Sequence, residues 1–336
     1  MVVAGPGDFD GDGQADLLVT SQYQTSAWVI HPPGAGTTLT GADPLVEVYV
    51  AFGAYGLAWA GDILGDGTDA IVVSSISSGV TSVYAGGHTG ALSTPDALAV
   101  WDTPTVSDSL GRVVAGLGDI DGDGVADIGV SAQFWGDHDE GAIYIESGAA
   151  LSSGPIADAD AVITGTPDRG YVGLAFSEAG DTNGDGYNDI VAGCHQCGAW
   201  LIFGPPVSGE IEAVANATLR GSPSTILGDS VAGGGDVNGD GRDDLLIGDP
   251  QLYFESRSTV GAAWLVLSPV EGVVDMAVEA AALIHGDGAE DQAAFSMTLH
   301  ADINGDGLAD PVLGAPYNDA GGAEAGAVYA LFGGAD

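Results

Sequence analysis

The chain has 336 residues and a formal net charge of −43, from 48 acidic residues against five arginines and no lysine. Such a surface excludes nucleic-acid phosphates and anionic lipid as partners unless metal bridges them. Its 45% hydrophobic content excludes an acidic disordered tail, and no apolar run reaches the ~18 residues of a membrane span.

Met1-Val2-Val3-Ala4-Gly5 leads directly into an acidic motif, so the sequence reads as a mature or excised domain. That motif is clearest at Asp119-Ile120-Asp121-Gly122-Asp123-Gly124-Val125-Ala126-Asp127, with carboxylates at positions 1, 3, 5 and 9. Two carboxylates ~4 Å apart repel by roughly 4 kcal/mol at an effective dielectric near 20. A compact loop holding several therefore points to a bound cation. Oxygen-only donors select a hard one, calcium before magnesium.

The motif recurs, starting at Asp8, Asp62, Asp119, Asp181, Asp236 and Asp302. The intervals are 54 to 66 residues, and they divide the chain into repeats of approximately 1–51, 52–108, 109–170, 171–226, 227–292 and 293–336. We treat these repeats as one domain, 1–336. In each repeat an apolar or small-residue run precedes the motif, as in Val113-Val114-Ala115-Gly116. A second follows it, as in Leu17-Leu18-Val19 or Leu245-Leu246-Ile247. A third alternates small and large residues, as in Ala27-Trp28-Val29-Ile30 and Ala199-Trp200-Leu201-Ile202. A fourth, less regular run closes the repeat, as in Ala161-Val162-Ile163-Thr164. These runs are short, β-branched or aromatic, and bounded by Gly, Pro, Asp and Asn, which predicts strands. Val274 to Ile284 reads as an outer strand, with a short helix as the alternative. The last repeat ends at its third strand. Four short antiparallel strands per unit, repeated, predict an all-β protein with the blades of a β-propeller. Six repeats are visible, forming six blades or part of a seven-bladed ring.

The motif followed by an apolar strand and Gly314-Ala315-Pro316 resembles the FG-GAP repeat of integrin α-subunit propellers. The last repeat carries it most fully, and Phe52-Gly53 supplies the Phe-Gly element. The resemblance spans essentially the whole chain and implies a calcium-binding adhesion module, secreted or at a cell surface. It implies five calcium sites, each using side chains at positions 1, 3, 5 and 9 and the carbonyl at position 7. Site one is then Asp8, Asp10, Asp12, Gln14 and Asp16. Site three is Asp119, Asp121, Asp123, Val125 and Asp127. Site four is Asp181, Asn183, Asp185, Tyr187 and Asp189. Site five is Asp236, Asn238, Asp240, Arg242 and Asp244. Site six is Asp302, Asn304, Asp306, Leu308 and Asp310. The second loop, Asp62 to Asp69, has Leu64 at position 3 and its last Asp one residue early, so we expect it to be empty or weak. Plain hairpin turns would need no such array of acids. EF-hand-like loops share the early spacing but need an acidic position 12, where this chain has Val19, Val130, Ala192, Ile247 and Leu313.

Cys194-His195-Gln196-Cys197 sits between two strands. A disulfide is the preferred reading, ahead of free thiols and zinc. No nucleophile–base grouping stands out, so we expect a binding protein rather than an enzyme. Aromatic and basic residues on the turns between second and third strands and between blades include Tyr23, Phe134, Trp135, His138, Arg169, Tyr171, Tyr253, Phe254, Arg257 and Tyr317. They mark a surface for a protein or carbohydrate ligand, away from the metal loops, or else they pack on neighbouring blades. We expect a monomer.

Overall fold

The computed structural model describes residues 2–21, 25–31, 44–50, 53–103, 105–166, 170–195, 197–221, 225–253 and 259–334. The fold is all-β: six small, mostly antiparallel sheets form β-propeller blades. The chain divides into two compact units, Met1–Thr164 and Gly165–Asp336, each holding three blades.

In the first unit, blade one pairs Val2–Gly7, Asp16–Thr20, Ser26–Ile30 and Val46–Tyr49 in that order. Blade two uses Leu57–Gly61, Ala70–Ser75, Val80–Tyr84 and Ala99–Asp102. Blade three uses Leu110–Gly118, Asp127–Ala132, Ala142–Glu146 and Ala161–Thr164. In the second unit, blade four uses Ala175–Gly180, Asp189–Cys194, Gly198–Ile202 and Ala217–Arg220. Blade five uses Ser230–Gly235, Asp244–Asp249, Ala262–Val266 and Ala282–His285. Among the described residues blade six has three strands, Ser296–Thr298, Val312–Ala315 and Ala327–Ala330, and Val328 of the last is exposed.

The strands form where β-branched and aromatic residues meet a two-sided core. Second and third strands are buried along their length in blades three, four and five, which explains their nearly continuous apolar sequence. The outer strands of blades one to four alternate, as in Val46–Tyr49, because only one side faces a neighbour. Within the first unit one core joins blades two and three through Trp101, Val114, Ile128 and Tyr144. Within the second, another joins blades four and five through Leu201, Leu219, Ile247 and Trp264.

The outer edges are covered in a way the sequence did not predict. A segment between the third and fourth strands of one blade pairs in parallel with the outer strand of the preceding blade. Gly90–Leu92 covers Val46–Tyr49, Gly154–Pro155 covers Ala99–Asp102, and Gly272–Asp275 covers Ala217–Arg220. Each closes the row of open backbone groups that an edge strand presents. Val274 to Ile284 is accordingly not one outer strand. It contains the end of the covering strand, a helical turn Met276–Glu279 capped by Asp275, and the start of the fourth strand. The alternation is broken because its two strands belong to two different blades.

Candidate metal centres

Every acidic loop joins the first and second strands of its blade. In blades one to five a bulge in the first strand ends at the glycine before the loop, which pairs with position 9. The pairs are Gly7 with Asp16, Gly61 with Ala70, Gly118 with Asp127, Gly180 with Asp189 and Gly235 with Asp244. The Gly-Asp dipeptide thus has a steric cause. A Cβ at Gly7 would lie 2.3 Å from the Trp59 ring, and one at Gly180 would lie 2.1 Å from the Asp243 carboxylate. At positions 4 and 6 the glycines take positive φ, as at Gly122 (83°) and Gly124 (88°), where other residues are strained.

The position 1 carboxylate organises each loop. Asp119 accepts from the N–H groups of Gly122 (2.7 Å) and Gly124 (2.9 Å). Asp181, Asp236 and Asp302 do the same for their own loops. Position 5 accepts from the N–H of position 7, as Asp123 does from Val125 at 2.8 Å and Asp240 from Arg242 at 3.0 Å. Where Asn stands at position 3, its amide donates to position 5, as Asn183 does to Asp185 and Asn304 to Asp306, both at 2.9 Å.

Position 9 is buried. Asp16, Asp127, Asp189, Asp244 and Asp310 are at most 1% exposed. One oxygen of each accepts from the N–H at position 2: Phe9, Ile120, Thr182, Val237 or Ile303. In four loops the other oxygen accepts from a backbone N–H just past the third strand: Gly148 (3.1 Å), Gly204 (3.0 Å), Ser268 (2.9 Å) and Gly333 (2.8 Å). One carboxylate therefore ties the start of the loop to the far end of the hairpin. Burial pushes Asp127, Asp189 and Asp244 up to about 6, against the opposing effect of these hydrogen bonds. Burial also raises Asp16.

The donor sets fit a hard divalent cation. Carboxylate oxygens of Asp8, Asp10 and Asp16 lie within 4.8 Å of one another, as do those of Asp119, Asp121 and Asp127. A cation there would remove the penalty that holds the buried Asp16 and Asp127 at raised values. Positions 1, 3 and 9 of the sites predicted in loops one and three are thus gathered into one locus each. Sites four, five and six repeat the same hydrogen-bond frame around Asn183, Asn238 and Asn304.

The second loop has the same frame without the donors. Asp62 accepts from Asp66 and Gly67, and this holds its carboxyl below the usual range. Position 3 is Leu64, 54% exposed, and position 9 is Ala70, buried in the strand. The early Asp69 is not a displaced ligand. Its carboxylate accepts from the Asp8 N–H at 2.8 Å, while its own N–H donates to the Asp8 carbonyl at 2.8 Å. Asp243, at the same position in blade five, clips Asp181 of blade four in the same way. Sequence reading missed this role, although an Asp at position 8 in two repeats was its signal.

Three histidines have acidic neighbours on their ring nitrogens. His31 sits on Asp10 and Asp16, His138 on Glu140 at 3.3 Å, and His195 on Asp229 at 2.9 Å. Cys194 and Cys197 are bonded across the hairpin turn, their Cα atoms 5.6 Å apart, within the usual span for such a bridge. Of the aromatic set, Trp135 is half-buried against the core of its unit, whereas Tyr253 and Tyr317 are 68% and 43% exposed. Phe134 and Tyr171 are half-buried, and His138 is exposed. Tyr23, Arg169, Phe254 and Arg257 lie outside the described residues.

Comparison with known proteins agrees with this geometry. The FG-GAP repeat model matches residues 3–39, 227–266 and 298–331, each spanning an acidic loop and the strands around it. These three segments are FG-GAP repeats. The chain is similar to integrin α subunits: it is 30% identical over 175 residues to integrin alpha-5 of Xenopus laevis, covering 45% of this chain and 16% of that protein. Against integrin alpha-PS2 of Drosophila melanogaster it is 28% identical over 165 residues, 41% of this chain and 12% of the other. It is also 30% identical over 179 residues to phosphatidylinositol-glycan-specific phospholipase D of Bos taurus, 48% of this chain and 21% of that protein. The chain thus spans about a fifth or less of the curated relatives it matches. No helix among its described residues is long and apolar enough to cross a membrane.

Proposed function

We propose that this chain is a calcium-stabilised ligand-binding or adhesion module, secreted or displayed at a cell surface. The observation that carries the proposal is the convergence of three carboxylates in each of loops one and three, beside a buried Asp that loops four, five and six repeat in the same hydrogen-bond frame. Calcium would bind through positions 1, 3, 5 and 9, with the carbonyls of Gln14, Val125, Tyr187, Arg242 and Leu308 completing the sites. Loop two would stay empty, since neither Leu64 nor Ala70 can ligate. The role of the metal is structural, fastening the first hairpin of each blade. The ligand is a protein or a carbohydrate, met by the turns at the far ends of the blades, where Tyr253 is exposed. The integrin relatives support an adhesion role.

We further propose that the chain binds rather than catalyses, and acts as a monomer. A glycan array together with a pull-down from cell-surface extract, both in calcium, tests the binding role. Retention of a defined glycan or surface protein, lost in EDTA, is the expected result. Turnover of a phosphodiester or glycosidic substrate, abolished by a single substitution in this chain, would overturn it.

A further inference from the structure

A side chain from the next blade lies over three of the acidic loops. In each case the N–H of position 8 donates to the carbonyl of position 1 in the preceding loop: Asp69 to Asp8 (2.8 Å), Asp243 to Asp181 (3.3 Å) and Ala309 to Asp236 (2.8 Å). This pairing brings position 7 onto the position 4 glycine of that loop. A Cβ at Gly11 would lie 3.2 Å from Thr68 Cγ2, and one at Gly239 would lie 3.1 Å from Leu308 Cδ2. At Gly184 the neighbour is a cation: such a Cβ would lie 3.5 Å from Arg242 Nε and 3.9 Å from its Nη2. Gly184 stands between Asn183 and Asp185, and its N–H donates to Asp181 at 2.7 Å. The guanidinium therefore sits beside the segment that carries three of the four side chains read as donors of loop four. Its Nε is buried without a hydrogen-bond partner, and the ion pairs among the described residues are made by histidine alone. No carboxylate is bonded to this arginine, so its charge acts on the loop as a whole.

We propose that Arg242 is a built-in competitor cation that lowers the affinity of loop four for calcium below that of loop five. The two loops offer the same donor types, Asp, Asn, Asp and Asp at positions 1, 3, 5 and 9. They differ in what covers the position 4 glycine, a guanidinium over Gly184 and the uncharged Leu308 over Gly239. A fixed positive charge repels an incoming divalent ion and relieves the mutual repulsion of the acids in its absence, so both effects reduce what calcium gains there. Arginine keeps its charge throughout the ordinary pH range, so the effect is permanent. Loop four then fills only at calcium levels where loop five is already loaded. The proposal rests on the reading of these loops as calcium sites and sets their order of filling.

The test uses the full chain loaded with Tb³⁺, an oxygen-seeking ion excited through a nearby tyrosine, which Ca²⁺ then displaces. Tyr187 is the aromatic residue at position 7 of loop four, where the other complete loops have Gln14, Val125, Arg242 and Leu308. The luminescence that Tyr187→Phe removes therefore reports loop four. In low salt, Arg242→Gln and Arg242→Leu should both raise the calcium affinity read from that signal by at least about threefold over wild type, whereas Arg242→Lys should stay close to it. The gain should shrink as salt rises from about 0.02 M to about 0.5 M, because screening removes a charge effect and leaves a packing effect in place. An affinity unchanged or lowered in both Arg242→Gln and Arg242→Leu would overturn the assignment while leaving the calcium reading intact. An equal gain in Arg242→Lys, or a gain that salt does not reduce, would do the same. Absence of any Tyr187-dependent signal that calcium displaces would overturn the calcium reading of loop four and this proposal with it.

Discussion

Replacing Asp127 with Asn should have opposite consequences with and without calcium. Asp127 is 1% exposed, and its two oxygens accept from Ile120 N–H at 2.9 Å and Gly148 N–H at 3.1 Å. Asn keeps one acceptor and turns a donor toward the other N–H, a loss of ~1–3 kcal/mol. In the metal-free protein near neutral pH the same change removes a buried charge. The carboxyl is pushed from 3.8 to about 6, so the relief is roughly 3 kcal/mol. The two effects nearly cancel in EDTA. At a calcium concentration 100 times its dissociation constant, the intact site adds ~2.7 kcal/mol that the variant forfeits. Melting curves of both proteins in millimolar calcium and in EDTA should show a gap that opens by about 5–10 °C only in calcium. An Asp127→Asn penalty of the same size in both conditions would refute the reasoning, because the residue would then act through its hydrogen bonds alone.

Other consequences are equally direct. In the metal-free protein Asp127, Asp189 and Asp244 are raised to about 6 and Glu146 to about 7, all by burial. The native state therefore binds more protons than the unfolded chain between about pH 4 and about pH 7, so metal-free stability should fall as pH rises through that window. Loaded with calcium, the protein should show the reverse trend, because protons compete for the same oxygens; parallel urea titrations at pH 5 and pH 7.5 would decide. Leu64→Asp alone should add no calcium equivalent, whereas Leu64→Asp with Ala70→Asp should add one, counted by equilibrium dialysis. Asp243→Ala should cost ~1–3 kcal/mol by orphaning the Asp181 N–H, equally with and without calcium. A calcium-dependent loss there would mean that Asp243 belongs to the metal site.

The blades were legible in the sequence because each strand has one dominant cause of burial, and the loops because their acids are local. Asp119, Asp121, Asp123 and Asp127 need only nine residues to show themselves. What escaped notice depends on neighbours distant in sequence. Asp69 looks like a misplaced ligand until Asp8 is seen facing it. His31 looks like one of several scattered histidines until the hairpin returns it to Asp16. The covering strands, such as Gly272–Asp275, have no signature of their own, since their partner lies in the preceding blade. The burial of Asp at position 9 was hidden for a related reason: its hydrogen bonds go to residues beyond the third strand.

The most direct test of the central claim is anomalous diffraction from crystals grown in calcium. Peaks should stand at the five complete loops, beginning at Asp8, Asp119, Asp181, Asp236 and Asp302, once calcium is saturating. None should stand at the loop beginning at Asp62. Density at Asp62 equal to the rest, or no density in any loop at saturating calcium, would contradict the account.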